Sequence, residues 1–357
     1  MWFIIFFLMI LGFILGYLYL VSKLSTLIVI KYSKLISFII LLVINFIISK
    51  VLSFTNAIVI IIHFVLGILL VDFIIFLINK FSNLEIKNYY SLIIGSILVI
   101  IYLLLGWRTA HNVVETTYDL NSDKIDNLKI VLFSDSHMGT TFDSEGFKKE
   151  LDKISKVEPD IIIVAGDYVD DGSSKEDMIK ASKYLGEVET KYGIYFVHGN
   201  HDKSYYGAKR RGYSGEDLEN VLEENGIKVL KDESILVNDE FYIIGRKDAE
   251  DKNRLSIKDL VKDLDKDKYM IVVDHQPTDY ENQADSEVDL VLSGHTHGGQ
   301  LIPITYINTL VSENYRVYGH EKRNKTDFIV SSGISSWDIR FKTGCISEYV
   351  VINVKED

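Results

Sequence analysis

Cysteine is almost missing from this chain of 357 residues: the single one, Cys345, has no partner for an internal disulfide, so no covalent cross-link supports the fold. Proline is nearly as scarce, with three in the whole chain. With no internal repeat in the part after residue 107 and no low-complexity tract, that scarcity argues against a long flexible linker. Basic charge is also short, 38 Lys and Arg against 50 Asp and Glu, for a net charge of −12. The deficit is uneven. Residues 1–107 hold six lysines against Asp72 and Glu85, a net of +4, which leaves −16 on the remainder. So acidic a remainder excludes a nucleic-acid partner, because phosphate backbones are gripped by clustered Lys and Arg.

What is abundant is hydrocarbon, and it is concentrated in the first third. Four apolar stretches, about 2–19, 35–52, 57–79 and 90–107, each approach the roughly 20 residues that cross a ~30 Å hydrocarbon layer as a helix. Residues 1–107 therefore read as a transmembrane region, with Trp2 and Trp107 at the outer edges of the first and last spans. Five of the six lysines fall in the loops Ser22–Lys34 and Lys80–Asn88. The positive-inside rule puts those loops in the cytoplasm, and so the amino terminus and everything after Trp107 outside it, in an integral protein of a bacterial cell membrane. His63 and Asp72 lie inside the third span. An ionisable group at that depth invites a functional reading, and its plain alternative is pairing with a neighbouring helix to fix packing.

Residues 108–127 form a polar connector containing an edge strand at 112–120, and the soluble domain occupies 128–357. Aliphatic runs at 130–133, 161–165, 194–197, 270–273 and 288–292 alternate with amphipathic helical stretches at 144–157, 175–192, 215–225 and 256–264, and two more strands follow at 328–331 and 348–354. This alternation indicates an α/β sandwich. Nearly every aliphatic run ends in a polar block: Asp135-Ser136-His137, Gly166-Asp167-Tyr168-Val169-Asp170, Gly199-Asn200-His201-Asp202, His275, and Gly294-His295-Thr296-His297-Gly298-Gly299-Gln300. The carboxyl ends of strands are where open α/β sheets place their sites.

Carboxylate, imidazole and amide oxygen are ligands for divalent Mn, Fe, Zn or Mg. If Asp167 bridges two ions, Asp135, His137 and His297 complete one sphere while Asn200, His275 and His295 complete the other. The two carboxylates supply −2 against +4, and the residual charge can hold phosphate and acidify a water. A neutral Asn200 matters, since a third carboxylate would weaken that field. His201 is expected to stabilise or protonate the leaving oxygen with Asp202 orienting its imidazole, and Asp170 to stand behind a ligand. A lone Asp-x-His is commonplace. Five of nine histidines in ordered blocks at strand ends are not, and this outweighs a merely structural reading.

From about Leu128 onward the sequence resembles the calcineurin-like metallophosphoesterase superfamily, in particular its bacterial membrane-anchored branch. The likeness rests on the five blocks, on Gly226-Ile227-Lys228-Val229-Leu230, His275-Gln276-Pro277 and Leu292-Ser293 leading into the histidine block, and on Ser332-Gly333-Ile334, Ile339-Arg340-Phe341 and Glu348. It implies a two-sheet αββα sandwich and a di-metal phosphomonoesterase or phosphodiesterase. Two departures stand out: Asp274 precedes His275 where an apolar or small residue is usual, and Gly245-Arg246-Lys247-Asp248 is more basic than the branch's acidic turn. Beyond the ligands, Lys203–Tyr213 is a basic and aromatic run whose Lys209, Arg210 and Arg211 are candidate contacts for an anionic lipid, its tyrosines packing on headgroup or acyl chain. Arg340 is a second candidate. The resulting expectation is a membrane-anchored hydrolase of phosphate esters, acting on phospholipid or lipid-linked phosphate with no protein partner specified. A catalytically silent membrane sensor of metal or phosphate is the main rival, and a transport module with an accessory phosphoesterase the second.

Overall fold

A computed structural model describes residues 2–82, 84–204, 207–302, 305 and 314–356, with side chains from Ile10 onward. The expected positions of the Trp2 indole and of Tyr205 and Tyr206 fall outside the described residues. The chain forms two units, Met1–Trp107 with Asp338–Arg340, and Arg108–Trp337 with Phe341–Asp357.

The first unit is built on helices α1 (Trp2–Ser25), α2 (Ser33–Val51), α3 (Phe54–Phe81) and α4 (Tyr89–His111). Among the described residues α2, α3 and α4 are long and apolar enough to cross a membrane; α1 has described side chains only over Ile10–Ser25, an apolar stretch shorter than these. Close approach of α3 and α4 depends on a missing side chain, since a Cβ on Gly95 would lie 2.8 Å from Ile68 Cα. Asp72 pairs with Lys23 Nζ at 2.5 Å and accepts from the Tyr19 hydroxyl, while Lys23 also donates to Ser91 Oγ at 3.1 Å. These contacts tie α1, α3 and α4 together through the Asp72 carboxylate and Lys23, as the packing alternative expects. His63 Nδ1 is spent on the Val59 carbonyl of its own helix, 2.7 Å away. Asn56, at the start of α3, donates to Asp338 O at 2.8 Å and accepts from Arg340 N at 2.9 Å.

The second unit contains two six-stranded sheets. In the first, β1 (Val113–Ser122), β12 (Ser347–Glu356), β2 (Asn127–Phe133), β3 (Ile161–Ala165), β4 (Ile194–Val197) and β5 (Ile227–Leu230) lie in that spatial order. In the second the order is β10 (Gly319–Arg323), β11 (Thr326–Val330), β9 (Leu290–Ser293), β8 (Tyr269–Val273), β7 (Phe241–Gly245) and β6 (Glu233–Val237). Alternation along each strand makes the layers. Ile130 and Leu132 of β2 face Ile271 and Val273 of β8 in the apolar seam between the sheets. Val131 and Phe133 point the other way, onto α5 (Ser144–Ser155), α6 (Lys175–Gly186) and α8 (Gly215–Glu224), following a short α7 (Ala208–Arg211). Met270 and Val272 pack outward against α9 (Ile257–Val261) and α10 (Tyr280–Asp285). Helices on both outer faces of two sheets give the αββα sandwich.

Boundaries moved where tertiary contacts intervene. The expected strand at 112–120 is β1, at the edge of the first sheet and parallel to β12. The helix expected to reach Tyr192 stops at Gly186, because Tyr192 N already donates to Asp160 O (2.8 Å) at the entry to the sheet. The charged strand β10, Gly-His-Glu-Lys-Arg, carries no apolar alternation and was not expected; its hairpin with β11 holds it.

Candidate metal centre

The polar blocks all emerge at the carboxyl ends of central strands. Asp135 and His137 follow β2, Asp167 follows β3, Asn200 and His201 follow β4, His275 follows β8, and His295 and His297 follow β9. Parallel pairing within β2–β3–β4 and within β8–β9 brings these ends level, so residues scattered over 163 positions of sequence meet in one place.

They form two adjoining groups, each able to hold a metal ion: Asp135, His137 and His297, and Asp167, His275 and His295. In the first, His137 Nε2 lies 3.1 Å from His297 Nε2, which is 3.4 Å from Asp135 Oδ1. In the second, His275 Nε2 lies 3.2 Å from Asp167 Oδ2 and 3.2 Å from Asn200 Oδ1, and Asn200 Oδ1 is 3.1 Å from His295 Nδ1. Asp167 Oδ2 also reaches to 3.7 Å from His137 Nε2, so one carboxylate faces both groups. His275 Nδ1 donates to Ala165 O at 2.7 Å, which turns the Nε2 lone pair toward Asp167 and Asn200. Asp167 Oδ2 and Asn200 Oδ1 thereby converge on that one nitrogen, and the arrangement calls for a shared cation there, a proton on Nε2 or a metal ion in its place. The donor set, mixed imidazole and oxygen, fits divalent transition metals.

Charge states agree with this. Burial would neutralise both Asp167 and His275, but each holds the other ionised, so the carboxyl lies well below its ordinary range and the imidazole well above. Burial, aided by the neighbouring His275, pushes His295 down to about 4, and burial with His137 drives His297 well below its ordinary value. Both rings are neutral at physiological pH, the form that ligates metal. Asp170 Oδ2 stands 3.6 Å behind His137 Nδ1 and, against the effect of burial, raises that imidazole.

The loops that carry these groups are under backbone constraint. Asp135 (φ 56°), His137 (35°), Asp167 (53°), His295 (71°) and His297 (50°) all occupy the left-handed region, a concentration typical of functional loops. Gly166 (φ 80°) lets two of them close, since a Cβ there would sit 2.6 Å from both Gly199 N and His275 Nδ1.

Two expectations need correction. Asp202 does not serve the His201 imidazole. Its buried carboxylate accepts backbone amides of Asp167 (2.9 Å), Val169 (3.1 Å) and Gly199 (2.8 Å), clamping the loops after β3 and β4 together. Arg211 does not face outward: it is buried, donates to Asp202 O at 2.5 Å and to Tyr213 O at 3.2 Å, and lies 4.3 Å over the ring of Tyr213, itself buried and far from any headgroup role. A four-residue helix inevitably turns one side chain of a basic triplet inward. Lys209 and Arg210 are exposed. Arg340 belongs to the helical unit, where its amide donates to Asn56 Oδ1 at 2.9 Å.

His201 is half-buried, its ring edge-on to His137 (centroids 5.0 Å) and tilted against Trp337 (5.9 Å). Trp337 was not anticipated, although an isolated tryptophan between polar residues was the available signal. The two sequence departures prove to be one feature: Arg246 pairs with Asp274 at 3.0 Å and with Asp279 at 3.0 Å, and Arg254 also pairs with Asp274.

The calcineurin-like phosphoesterase family matches residues 128–299. The chain is 30% identical over 229 residues to an uncharacterised metallophosphoesterase of Bacillus subtilis, covering 61% of this chain and 80% of that protein. It is 29% identical over 268 residues to one of Campylobacter jejuni, covering 72% and 68%. A Danio rerio transmembrane protein with metallophosphoesterase domain is 27% identical over 261 residues, 68% of this chain and 56% of that one. The chain belongs to the calcineurin-like phosphoesterase family, whose relatives here are animal as well as bacterial. It is a metal-dependent hydrolase of phosphoric esters, carrying apolar amino-terminal helices of membrane-crossing length.

Proposed function

We propose that this protein is a membrane-anchored phosphoesterase with an extracytoplasmic site, hydrolysing mono- or diesters of phospholipid or lipid-linked phosphate. The observation that carries the catalytic part is Asp167 Oδ2, which faces His275 Nε2 at 3.2 Å and His137 Nε2 at 3.7 Å and so belongs to both groups at once. Asp135, His137, Asp167 and His297 would hold one divalent cation, and Asp167, Asn200, His275 and His295 the second. Once bound, two such ions supply Lewis acidity and a water nucleophile activated near neutral pH. Asp135 and Asp167 are the only carboxylates in that set, so the pair of ions keeps an excess of positive charge that favours an anionic phosphoryl group.

His201 acts on the leaving side. Burial pushes its pKa down, so at neutral pH the ring offers a leaving oxygen an N–H hydrogen bond rather than a full positive charge. Asp167 Oδ1 accepts from His201 N at 2.9 Å, which fixes the backbone of the residue beside the shared carboxylate. Exposed Lys209 and Arg210, and Arg340, are offered as contacts for further anionic charge. The lysine bias of the helix loops supports the outward orientation, and tethering to the membrane raises the effective concentration of a lipid substrate.

The test is turnover by the full chain in detergent, with Mn or Zn, of p-nitrophenyl phosphate, bis-p-nitrophenyl phosphate and a total lipid extract. Wild type should hydrolyse at least one in a metal-dependent way. Asp167→Asn or His275→Ala at wild-type rates would refute the site.

A further inference from the structure

The second unit contains a single tryptophan, Trp337, and leaves it partly exposed. Of the chain's three, Trp2 and Trp107 belong to the helical unit. Trp337 is 46% exposed, although an indole is the largest side chain with apolar surface to hide. The exposure is held in place. Ser335 and Ser336 before it are buried, Ser336 N donates to Thr141 Oγ1 at 3.2 Å, and the Trp337 carbonyl accepts from Gln300 Nε2 at 3.4 Å. Gln300 closes the block that carries His295 and His297, so the loop presenting the indole is fastened to the ligand loop itself. The exposed ring leans on His201, and His201 meets His137 edge-on, which makes Trp337 the outermost of three successive ring contacts leading outward from the metal centre.

We infer that Trp337 determines substrate specificity: its indole is the apolar wall on which the hydrocarbon part of the esterified alcohol lies while His201 faces the leaving oxygen. The substrate class is then a phosphoester with hydrocarbon within a few bonds of phosphorus, as in a glycerophospholipid, in preference to a fully hydrated glycerol or sugar phosphate. This rests on the phosphoesterase reading above and narrows its lipid part. Membrane-crossing helices in the same chain favour the lipid over a water-soluble aryl phosphate of like chemistry.

Two probes separate the cases: dihexanoylphosphatidic acid, and glycerol 3-phosphate, which is the same monoester without acyl chains. Both compete against p-nitrophenyl phosphate hydrolysis by the full chain held in amphipol with Mn. Trp337→Ala should raise the Ki of the phosphatidic acid about tenfold and that of glycerol 3-phosphate less than about twofold, with Trp337→Phe recovering most of the difference. Equal changes for both probes, or none for either, overturn the inference. A second arm needs no turnover. In a Trp2→Phe, Trp107→Phe background the only indole is Trp337, and its emission should shift to the blue with dihexanoylphosphatidic acid but not with glycerol 3-phosphate. No shift, or the same shift with both, also overturns it, as does a shift unaccompanied by any Ki change in Trp337→Ala, which marks a surface contact. Failure of the phosphoesterase reading shows separately, as wild type without metal-dependent turnover, and the fluorescence arm still decides.

Discussion

Two buried charged clusters sit side by side at the end of β8, because Asp274 and His275 are adjacent residues pointing opposite ways. Around Asp274 the protein supplies its own compensation: Arg246, Arg254 and the Gln283 amide (2.8 Å) all donate to one carboxylate. Around His275 it supplies a single counter-charge, Asp167, whose Oδ2 faces the same imidazole nitrogen as Asn200 Oδ1. A buried charge closed by the chain itself holds loops in place. One that balances through a proton on His275 Nε2, where ligand atoms converge, can give up that proton to a metal ion.

The largest expected effect lies on the open side. Asp167→Asn should lower kcat/KM for whichever p-nitrophenyl ester wild type turns over by about a thousandfold or more, with little loss of thermal stability, as followed by circular dichroism. Next comes the closed side. Asp274→Ala leaves Arg254 without its carboxylate and Arg246 with Asp279 alone, and should cost about 3–5 kcal/mol in chemical denaturation, while replacing Asp274, Arg246 and Arg254 together by Leu, Met and Met should recover most of it. If Asp274→Ala abolished metal binding in a direct titration and Asp167→Asn spared it, the two clusters would have to exchange roles. Asp202→Asn is intermediate. An amide replaces one of the acceptor oxygens that three backbone N–H groups need, so about 1–3 kcal/mol should be lost, with turnover falling as the His201 turn loosens.

The smallest effect is a pH dependence outside both clusters. The Glu219 carboxyl is pulled down to about 2, chiefly by its hydrogen bond to His198 at 2.8 Å and then, against partial burial, by Lys231 at 2.6 Å. A depressed folded-state pKa contributes stability that is complete above the unfolded value, about 4.3, and disappears as pH falls toward 2. Acid unfolding of Glu219→Gln should therefore be less steep than wild type across that window, and identical slopes would show the pair to be inert.

The ligands were legible because each stands at the end of an aliphatic run, where strand period and polar block together give address and chemistry. The second-sheet edge strand β10 was not, since its pattern is charged and only pairing with β11 makes it a strand. Chain proximity misled at Asp202: next to His201 in sequence, its side chain points back to the amides of the β3 loop, 33 to 35 residues away. Charge alone misled at Arg211, whose guanidinium is buried under the turn it supports. Arg246 and Asp274 were each conspicuous, but their pairing across 28 residues exists only in three dimensions.

The first sheet carries a consequence for biogenesis. β1 and β2 are neighbours in the chain yet do not pair; β12 lies between them, parallel to one and antiparallel to the other. During synthesis both strands wait with an open edge until residues 347–356 leave the ribosome. A sheet closed by contacts of such long range folds slowly. If the domain is exported as proposed, that delay would keep the chain threadable across the membrane, and the order of its strands is one way to encode it.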